Sequence, residues 1–338
     1  MAKSTNQPVV IIPNLNGGAD LLAAVESLTK QTLQPYIIVV DNASTDDSVA
    51  QLQQKYPAVE LIQHTINKGY AGGVNPGLTR AIELNASYAA PFNDDAIADP
   101  QWLEHLVHAL HAHPELGAAA PKVLEGDGQR LDSTGDQYSN WGLPYPRGRH
   151  ETDTSRYDDQ TEIFAASGAA CLYRVAALKQ VGLLDEDFFA YYEDVDLGFR
   201  LQRAGWKALY VPESKVYHQI GMTSGRIKGF TTYQTMKNLP MLALKNVPSR
   251  YYWRVRRRLS VALLFFFLRA ITRGHGWPAL KGYLVYKWLY IKKLGERRQI
   301  LATKKVSDEY IWSIMMHDLP PNATALRKLR KLLTGKPA

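Results

Sequence analysis

Two uninterrupted apolar runs near the amino terminus narrow the available folds more than anything else in this chain. Val9 to Ile12 reads VVII and stops at Pro13; Tyr36 to Val40 reads YIIVV and stops at Asp41. A strand with one wet face alternates apolar and polar residues, so a strand that is apolar throughout must be covered on both faces. Between the two runs, Leu21, Leu22, Val25 and Leu28 keep helical spacing. The alternation continues with a short helix over Ser48 to Tyr56 and a strand over Val59 to Gln63. A glycine-rich turn from Gly69 to Gly77 then leads into a helix with Leu78, Ile82 and Asn85 on one side. Tyr88 to Phe92 is a further strand, and Asp99-Pro100 caps a helix carrying Trp102, Leu103, Leu106, Val107 and Leu110. Strands alternating with amphipathic helices predict an α/β fold: a mostly parallel sheet with helices on both faces.

Polar residues gather where the strands end: Asn14 and Asn16, Asp41 and Asn42, and Asn93 to Asp95. Open α/β sheets bind ligands at the carboxyl ends of their strands. Arg130 to Gln160 reads as a long polar excursion. Ser167 to Tyr173 returns as a strand of small residues, and Lys207 to Val211 is another short strand, with His218 soon after. The alternation stops near Gly225. Residues 1–225 are therefore expected to form the α/β domain, and 226–338 a helical, basic region.

The 46% apolar content suffices for a large core, and Cys171, the single cysteine, excludes an intrachain disulfide or a thiolate metal cluster. The polar start, MAKSTNQP, shows no secretory signal, which points to the cytoplasm. The net charge of +8 is uneven. From Arg250 to Ile300 there are 13 Lys/Arg and one acid, Glu296, or +12, so the remainder carries 8 − 12 = −4. Basic segments seek phosphates of nucleic acid or of anionic lipid.

Tyr251 to Ile271 has an apolar centre too short to span a bilayer, which takes about 20 residues. Arginines flank it, and Trp253, Trp277, Tyr283, Tyr286, Trp288 and Tyr290 lie nearby. Aromatics among basic residues suit a headgroup region, so this part is expected to lie on an anionic membrane. An ordinary helical bundle or a homo-oligomer interface is the alternative. No nucleic-acid motif accompanies the charge.

Chemistry concentrates in Phe188 to Trp206, FFAYYEDVDLGFRLQRAGW. Four aromatics precede Glu193, Asp194 and Asp196, and Leu197, Leu201 and Ala204 follow at helical spacing up to Gly205. The acids suit the start of a helix. A carboxylate against an aromatic wall also suits a general base that takes a proton from a hydroxyl. Asn93-Asp94-Asp95 places adjacent carboxylates on a turn, either as a helix-capping cluster or as ligands for Mg²⁺ or Mn²⁺. Asp41 stands where it can accept from a base or ribose, and the Ser/Thr/Asp run behind it can equally just turn the chain. The stretch Asn67 to Gly77 is glycine-rich but matches neither the P-loop nor the dinucleotide fingerprint. A neutral His218 would complete a metal site with Asp95; a plain core or surface histidine is the alternative. His105, His108, His111 and His113 read as a solvated helix face.

VVIIPNLNG, VVDNASTDDS, NKGYAGGVNPG, FNDD, SGAACLYR, DEDFFAYYEDVDLGFRLQRAGW and VYHQIGMTSG occur in that order over roughly residues 8 to 225. Together they resemble a family 2 glycosyltransferase of the GT-A fold, nearest to bacterial rhamnosyltransferase-type enzymes. The resemblance implies a nucleotide-sugar donor and an inverting, metal-dependent transfer. Asp194 matches the catalytic base, Asp41 the base-contacting acid, and Asp94 and Asp95 the metal-binding triplet, with Asp95 the direct ligand. His218 matches a histidine that joins the metal. Asn14, Asn16, Asn42, Gly72, Gly73 and Asn75 lie where the family surrounds the donor. Leu15 stands where an aromatic is usual, and Asn93 opens the triplet, which leaves two carboxylates and an expectation of one metal. The implied donor is dTDP-rhamnose, and the implied acceptor a lipid-linked or cell-surface saccharide at the inner face of the cell membrane. UDP-sugar transfer is the alternative. A nucleotidyltransferase would carry a basic glycine-rich loop near the first strand, and Gly17-Gly18 has no Lys or Arg beside it.

Overall fold

In a computed structural model of the chain, the structure describes residues 7–159, 161–219 and 227–334. They form two compact units, one from residues up to 136 and 146–219, the other from 137–145 and 227 onward. The domain boundary expected near Gly225 lies outside the described residues.

The first unit opens β1 (Val9–Asn14), α1 (Gly18–Thr29), β2 (Tyr36–Asp41), α2 (Ser48–Lys55), β3 (Glu60–Gln63), α3 (Gly69–Glu83) and β4 (Tyr88–Pro91). It continues with β5 (Ala96–Ala98), α4 (Trp102–Ala112), β6 (Leu116–Glu125) and β7 (Leu131–Ser133); β8 (Asp136–Tyr138) and β9 (Pro144–Pro146) fall largely in residues 137–145 of the other unit. Then come β10 (Glu162–Ile163), β11 (Leu172–Arg174), α5 (Val175–Val181), α6 (Glu193–Arg203) and β12 (Lys207–His218). The main sheet runs β10-β12-β6-β11-β4-β1-β2-β3, with β5 on β12 and β7 on β6. Pairing is parallel from β3 through β4 and between β6 and β12, while β11 runs antiparallel between β4 and β6.

The apolar runs behave as their composition demands. Along β1, Val9 and Ile11 face a core built with α3, α5 and α6; Val10 and Ile12 face a second core built with α1, α2 and α4. All four are fully buried, each contributing about 1.5–3 kcal/mol of apolar burial.

Several sequence expectations need correction. Gly69 to Gly77 is not a turn but the first half of α3, because its small residues let a helix press against β1 and β2. The cap of α4 is Gln101, not Asp99; the Asp99 carbonyl accepts from Trp102 N at 2.9 Å. The small-residue strand is confined to Leu172–Arg174, whereas β12 continues past Val211 to His218. The ten-residue β6 had no counterpart in the sequence reading. The excursion over 130–160 carries three short strands and buries Asp132, Ser133, Thr134, Asp136 and Arg147.

The second unit is helical: α7 (Phe230–Asn246), α8 (Ser249–Thr272), α9 (Gly276–Ala302), α10 (Asp308–Ser313) and α11 (Thr324–Thr334). The helix α7 is buried over most of its length and packs against α8 and α9. Residues 137–145 join this unit through Asn140 N, which donates to Met316 O at 2.8 Å. Glu296, the lone acid of the basic segment, pairs with Lys293 at 2.9 Å and Lys245 at 3.3 Å, and both lysines are buried. No helix among the described residues is long and apolar enough to cross a membrane.

Gly69 sits at φ +71°, and a Cβ there would lie 2.3 Å from the Phe189 carbonyl oxygen. Gly69→Ala combines backbone strain with a clash against main chain and is expected to cost about 2–4 kcal/mol. A urea titration reads this as a lower midpoint at unchanged slope; an unshifted midpoint would contradict it.

Candidate active site

The carboxyl ends of β1, β2 and β4 bring Asn14, Asp41 and the Asn93–Asp95 turn together. Asn14 Nδ2 donates to Asp41 Oδ1 at 3.1 Å, to Ser44 Oγ at 3.0 Å and to Ser48 Oγ at 3.2 Å. Its Oδ1 accepts from Gly17 N at 3.1 Å. Gly17 is glycine for want of room: a Cβ would lie 2.6 Å from Asn14 Oδ1 and 3.0 Å from Asp94 Oδ2. Asp94 therefore stands directly against the β1–α1 loop. Burial first, then the charge of Asp95, push its carboxyl up to about 7.

Asn16 and Asn42 are tethers. Asn16 Oδ1 accepts from Thr45 N at 2.7 Å, and Asn42 bridges Gly69 O at 2.8 Å and Lys68 N at 2.9 Å. Asn75 donates to Leu184 O and Glu186 Oε1 and accepts from Leu184 N, which fixes the segment that leads to α6. Gly72 and Gly73 are buried in α3, against Lys68 and Asn42 respectively, rather than on an open loop.

The register of β5 on β12 pairs Ala96 with His218, so Asp95, one residue earlier, meets the imidazole. His218 Nε2 lies 3.1 Å from Asp95 Oδ1, and Nδ1 lies 2.8 Å from Asp132 Oδ2. Burial alone would depress this histidine, but the hydrogen bonds to Asp132 and Asp95 push it up to about 9. Arg149 closes the chain on Asp132, with Nε at 2.8 Å. Burial works against the Asp132 charge, yet His218 and Arg149 together hold its carboxyl below the ordinary range. The sequence reading missed both Asp132 and Arg149. Their only sequence signal was lying in a polar stretch before a small-residue strand.

The donor set suits a hard or borderline divalent cation. A carboxylate and an imidazole nitrogen converge, and Asn93 Nδ2 is 3.0 Å from the same ring nitrogen. The Oδ1 of that amide is buried with no hydrogen-bond partner among the described residues. A carboxylate that orients a metal-binding histidine from its far nitrogen is a common support for such sites.

Asp194 occupies the first turn of α6, where the helix dipole favours an anion. Its carboxylate accepts from Val195 N at 2.8 Å and from Gly168 N at 3.0 Å. Burial raises its pKa, and the two N–H groups oppose that rise. The adjacent Ala169 carbonyl accepts from Asn93 N at 2.9 Å, and Gly168 O accepts from Tyr70 OH. One two-residue segment, Gly168-Ala169, thus ties the base candidate to the acidic turn. The four histidines of α4 and its end touch none of this; all but the half-buried His105 are exposed.

Residues 9–182 match the family model for glycosyl transferase family 2. The chain is 32% identical to an N-acetylglucosaminyl-diphospho-decaprenol L-rhamnosyltransferase of Mycobacterium tuberculosis (strain CDC 1551 / Oshkosh), over 65% of this chain and 78% of that one. Among solved structures, GalNAc-T7 with UDP, GalNAc and Mn²⁺ aligns at TM-score 0.57 and 16% identity, covering 72% of this chain and about half, 48%, of that chain. S. aureus TarS 1-349 with UDP-GlcNAc aligns at TM-score 0.52 and 19% identity, covering 92% and 84%. These structures share the GT-A fold with the first unit.

Because Asp132 fixes the His218 ring, a divalent cation such as Mn²⁺ held there would bind about 10–100-fold more weakly in Asp132→Ala. Calorimetric titration measures this, and wild-type affinity in the variant would remove Asp132 from that role.

Proposed function

The chain belongs to glycosyl transferase family 2, and from that premise we propose that it moves a sugar from a nucleotide-sugar to an acceptor hydroxyl with inversion at the anomeric carbon. The observation that carries this reading is the Gly168-Ala169 segment, which ties Asp194 to the turn bearing Asp94 and Asp95. Asp194 is raised by burial yet held by two N–H donors, so it can stay ionised and still accept a proton. In the proposed step it removes the proton of an acceptor hydroxyl. That oxygen forms the new bond to the anomeric carbon as the bond to the leaving diphosphate breaks, in line and on the opposite face. Asp41, held by Asn14 and Ser44, keeps lone pairs free to accept from the nucleoside. A divalent cation, Mg²⁺ or Mn²⁺, held by Asp95 and His218 with Asp94 beside them, would neutralise the leaving diphosphate.

The rhamnosyltransferase relative supports rhamnose from dTDP-rhamnose as the donor and a lipid-linked saccharide as the acceptor. UDP-sugars are the second reading, since TarS is solved with UDP-GlcNAc. The proposed location is peripheral, on the inner face of the cell membrane. Among the described residues, ten of the twelve exposed large apolar side chains belong to two helices of the second unit. Trp253, Val261, Leu264, Leu268 and Ile271 form a stripe along α8; Trp277, Leu280, Leu284, Trp288 and Ile291 form one along α9. Exposed Arg257, Arg273, Lys281, Lys287 and Lys292 flank them. Apolar residues framed by cations match an anionic bilayer surface.

A panel of nucleotide-sugars with Mg²⁺ or Mn²⁺ tests the activity. Asp194→Asn is expected to retain donor binding and lose about 10²–10⁴-fold in turnover; near-normal turnover would end its assignment as base. The chain is expected to co-sediment with anionic but not neutral vesicles and to be released by salt, and Trp277→Ser with Trp288→Ser is expected to weaken that binding. Equal binding to both vesicle types would contradict the membrane reading.

A further inference from the structure

Tyr70 stands in the first turn of α3, between two residues that both meet Phe189. A Cβ on Gly69 would lie 2.3 Å from the Phe189 carbonyl oxygen, and Ala71 N donates to that oxygen at 3.2 Å. From Phe189 the chain runs on into Asp194 at the start of α6. The Tyr70 hydroxyl donates to Gly168 O, and Gly168 N donates to Asp194 Oδ2 at 3.0 Å. A ring of contacts therefore closes: from α3 through Phe189 to α6, across to Gly168, and back to α3. We propose that Tyr70 is a positioning residue for the base: its hydroxyl holds Gly168 in the backbone conformation that keeps the Gly168 N–H aimed at the Asp194 carboxylate.

The residue being held explains why a hold is needed. Glycine turns about its backbone torsions more freely than any other residue. The Gly168 N–H and C=O belong to successive peptide planes that meet at its Cα, so fixing the first leaves the second free to rotate. Tyr70 fixes that second plane, and Asn93 N fixes the next one through Ala169 O at 2.9 Å. A stiffer residue does not fit. A Cβ on Gly168 would lie 3.0 Å from the Tyr70 hydroxyl oxygen and 3.3 Å from its Cε1, so the ring packs on the Cα as well as reaching the carbonyl. Burial pushes the Tyr70 hydroxyl well above its ordinary value, so it stays protonated and remains a donor through the neutral range. Tyr70 acts on the base through Gly168 and takes no part in the proton transfer itself.

This inference rests on Asp194 being the base, so its test has one readout independent of activity. Tyr70→Phe removes the hydroxyl and keeps the ring. In that variant of the full chain, amide hydrogen exchange at Gly168 is expected to run about 5–10-fold faster. Its kcat is expected to fall about 5–10-fold with the donor KM unchanged. A side chain that only stabilised the fold would lower the melting temperature and leave the kcat of the folded enzyme alone. Wild-type kcat or wild-type exchange at Gly168 would overturn the proposal, as would a loss of kcat matched by a loss of donor binding. Gly168→Ala presses a methyl on the same hydroxyl and is expected to lose kcat comparably. The double variant is expected to be no worse than the worse single one, because both changes release one contact; losses that multiply would overturn the proposal. Should Tyr70→Phe not fold, Gly168→Ala still decides through its kcat at unchanged donor KM. Normal turnover by Asp194→Asn would instead sink the base assignment, and the exchange at Gly168 would then read the contact on its own.

Discussion

Carboxylates gathered at one end of a buried sheet repel one another, and much of the first unit is arranged to offset that repulsion. Each acid meets a different remedy. Asp41 takes the Asn14 amide and Ser44 N, Asp132 takes Arg149 and His218, Asp95 takes the far side of the same imidazole, and Asp194 takes two backbone N–H groups. Asp94 has the weakest compensation, a 3.5 Å approach from Leu15 N, and its pKa is correspondingly displaced. An acid left poised in this way gains most from a cation, which would supply the charge that its neighbours lack.

The topology delivers these groups without long loops. Parallel strands β1, β2 and β4 all end on the same edge, so Asn14, Asp41 and Asn93 arrive there through register alone. The long pairing of β6 with β12 carries His218 to the same end, and the short β5 and β7 bring Asp95 and Asp132 to its two ring nitrogens. Backing comes from the excursion between β6 and β11. That segment supplies Asp132, Asp136 and Arg149; Asp132 and Asp136 are buried, and Arg149 holds Asp132.

This division explains what could be read from residues alone. The first two strands were legible because burial on both faces leaves an unbroken apolar signature. Strand β6, LGAAAPKVLE, was not: alanines carry little contrast, and Pro121 argues against a central strand. The excursion reads from its residues only as a long polar stretch, because polarity by itself does not show which of its groups are buried. Its Asp132 is buried against His218, a residue so distant in sequence that no local pattern displays the contact. The glycine stretch misled for a related reason. Glycine usually marks turns, but in α3 the missing side chains provide close approach, with Asn42 and Pro13 filling the space beside Gly73. Asp194 and the acidic turn were found because their residue types and order matched a known pattern, while their partners were found only through space.

The approach to α6 bears the clearest mark of strain. Phe189, Tyr191 and Tyr192 all have positive φ, at 64°, 71° and 73°. For bulky residues this costs on the order of 1–3 kcal/mol each, and it persists only where the surroundings over-determine it. The surroundings do so here. Ala71 N donates to Phe189 O at 3.2 Å, Gly69 lacks the Cβ that would collide with it, and Asn75 grips Leu184 and Glu186 upstream. The start of α3 is therefore the mould for the start of α6. A relaxed loop would let the first turn of α6 fray and the Asp194 carboxylate swing away from Gly168 N. A strained loop clamped by α3 holds that carboxylate in one direction, which is the requirement for a base that must meet a hydroxyl proton within hydrogen-bond reach.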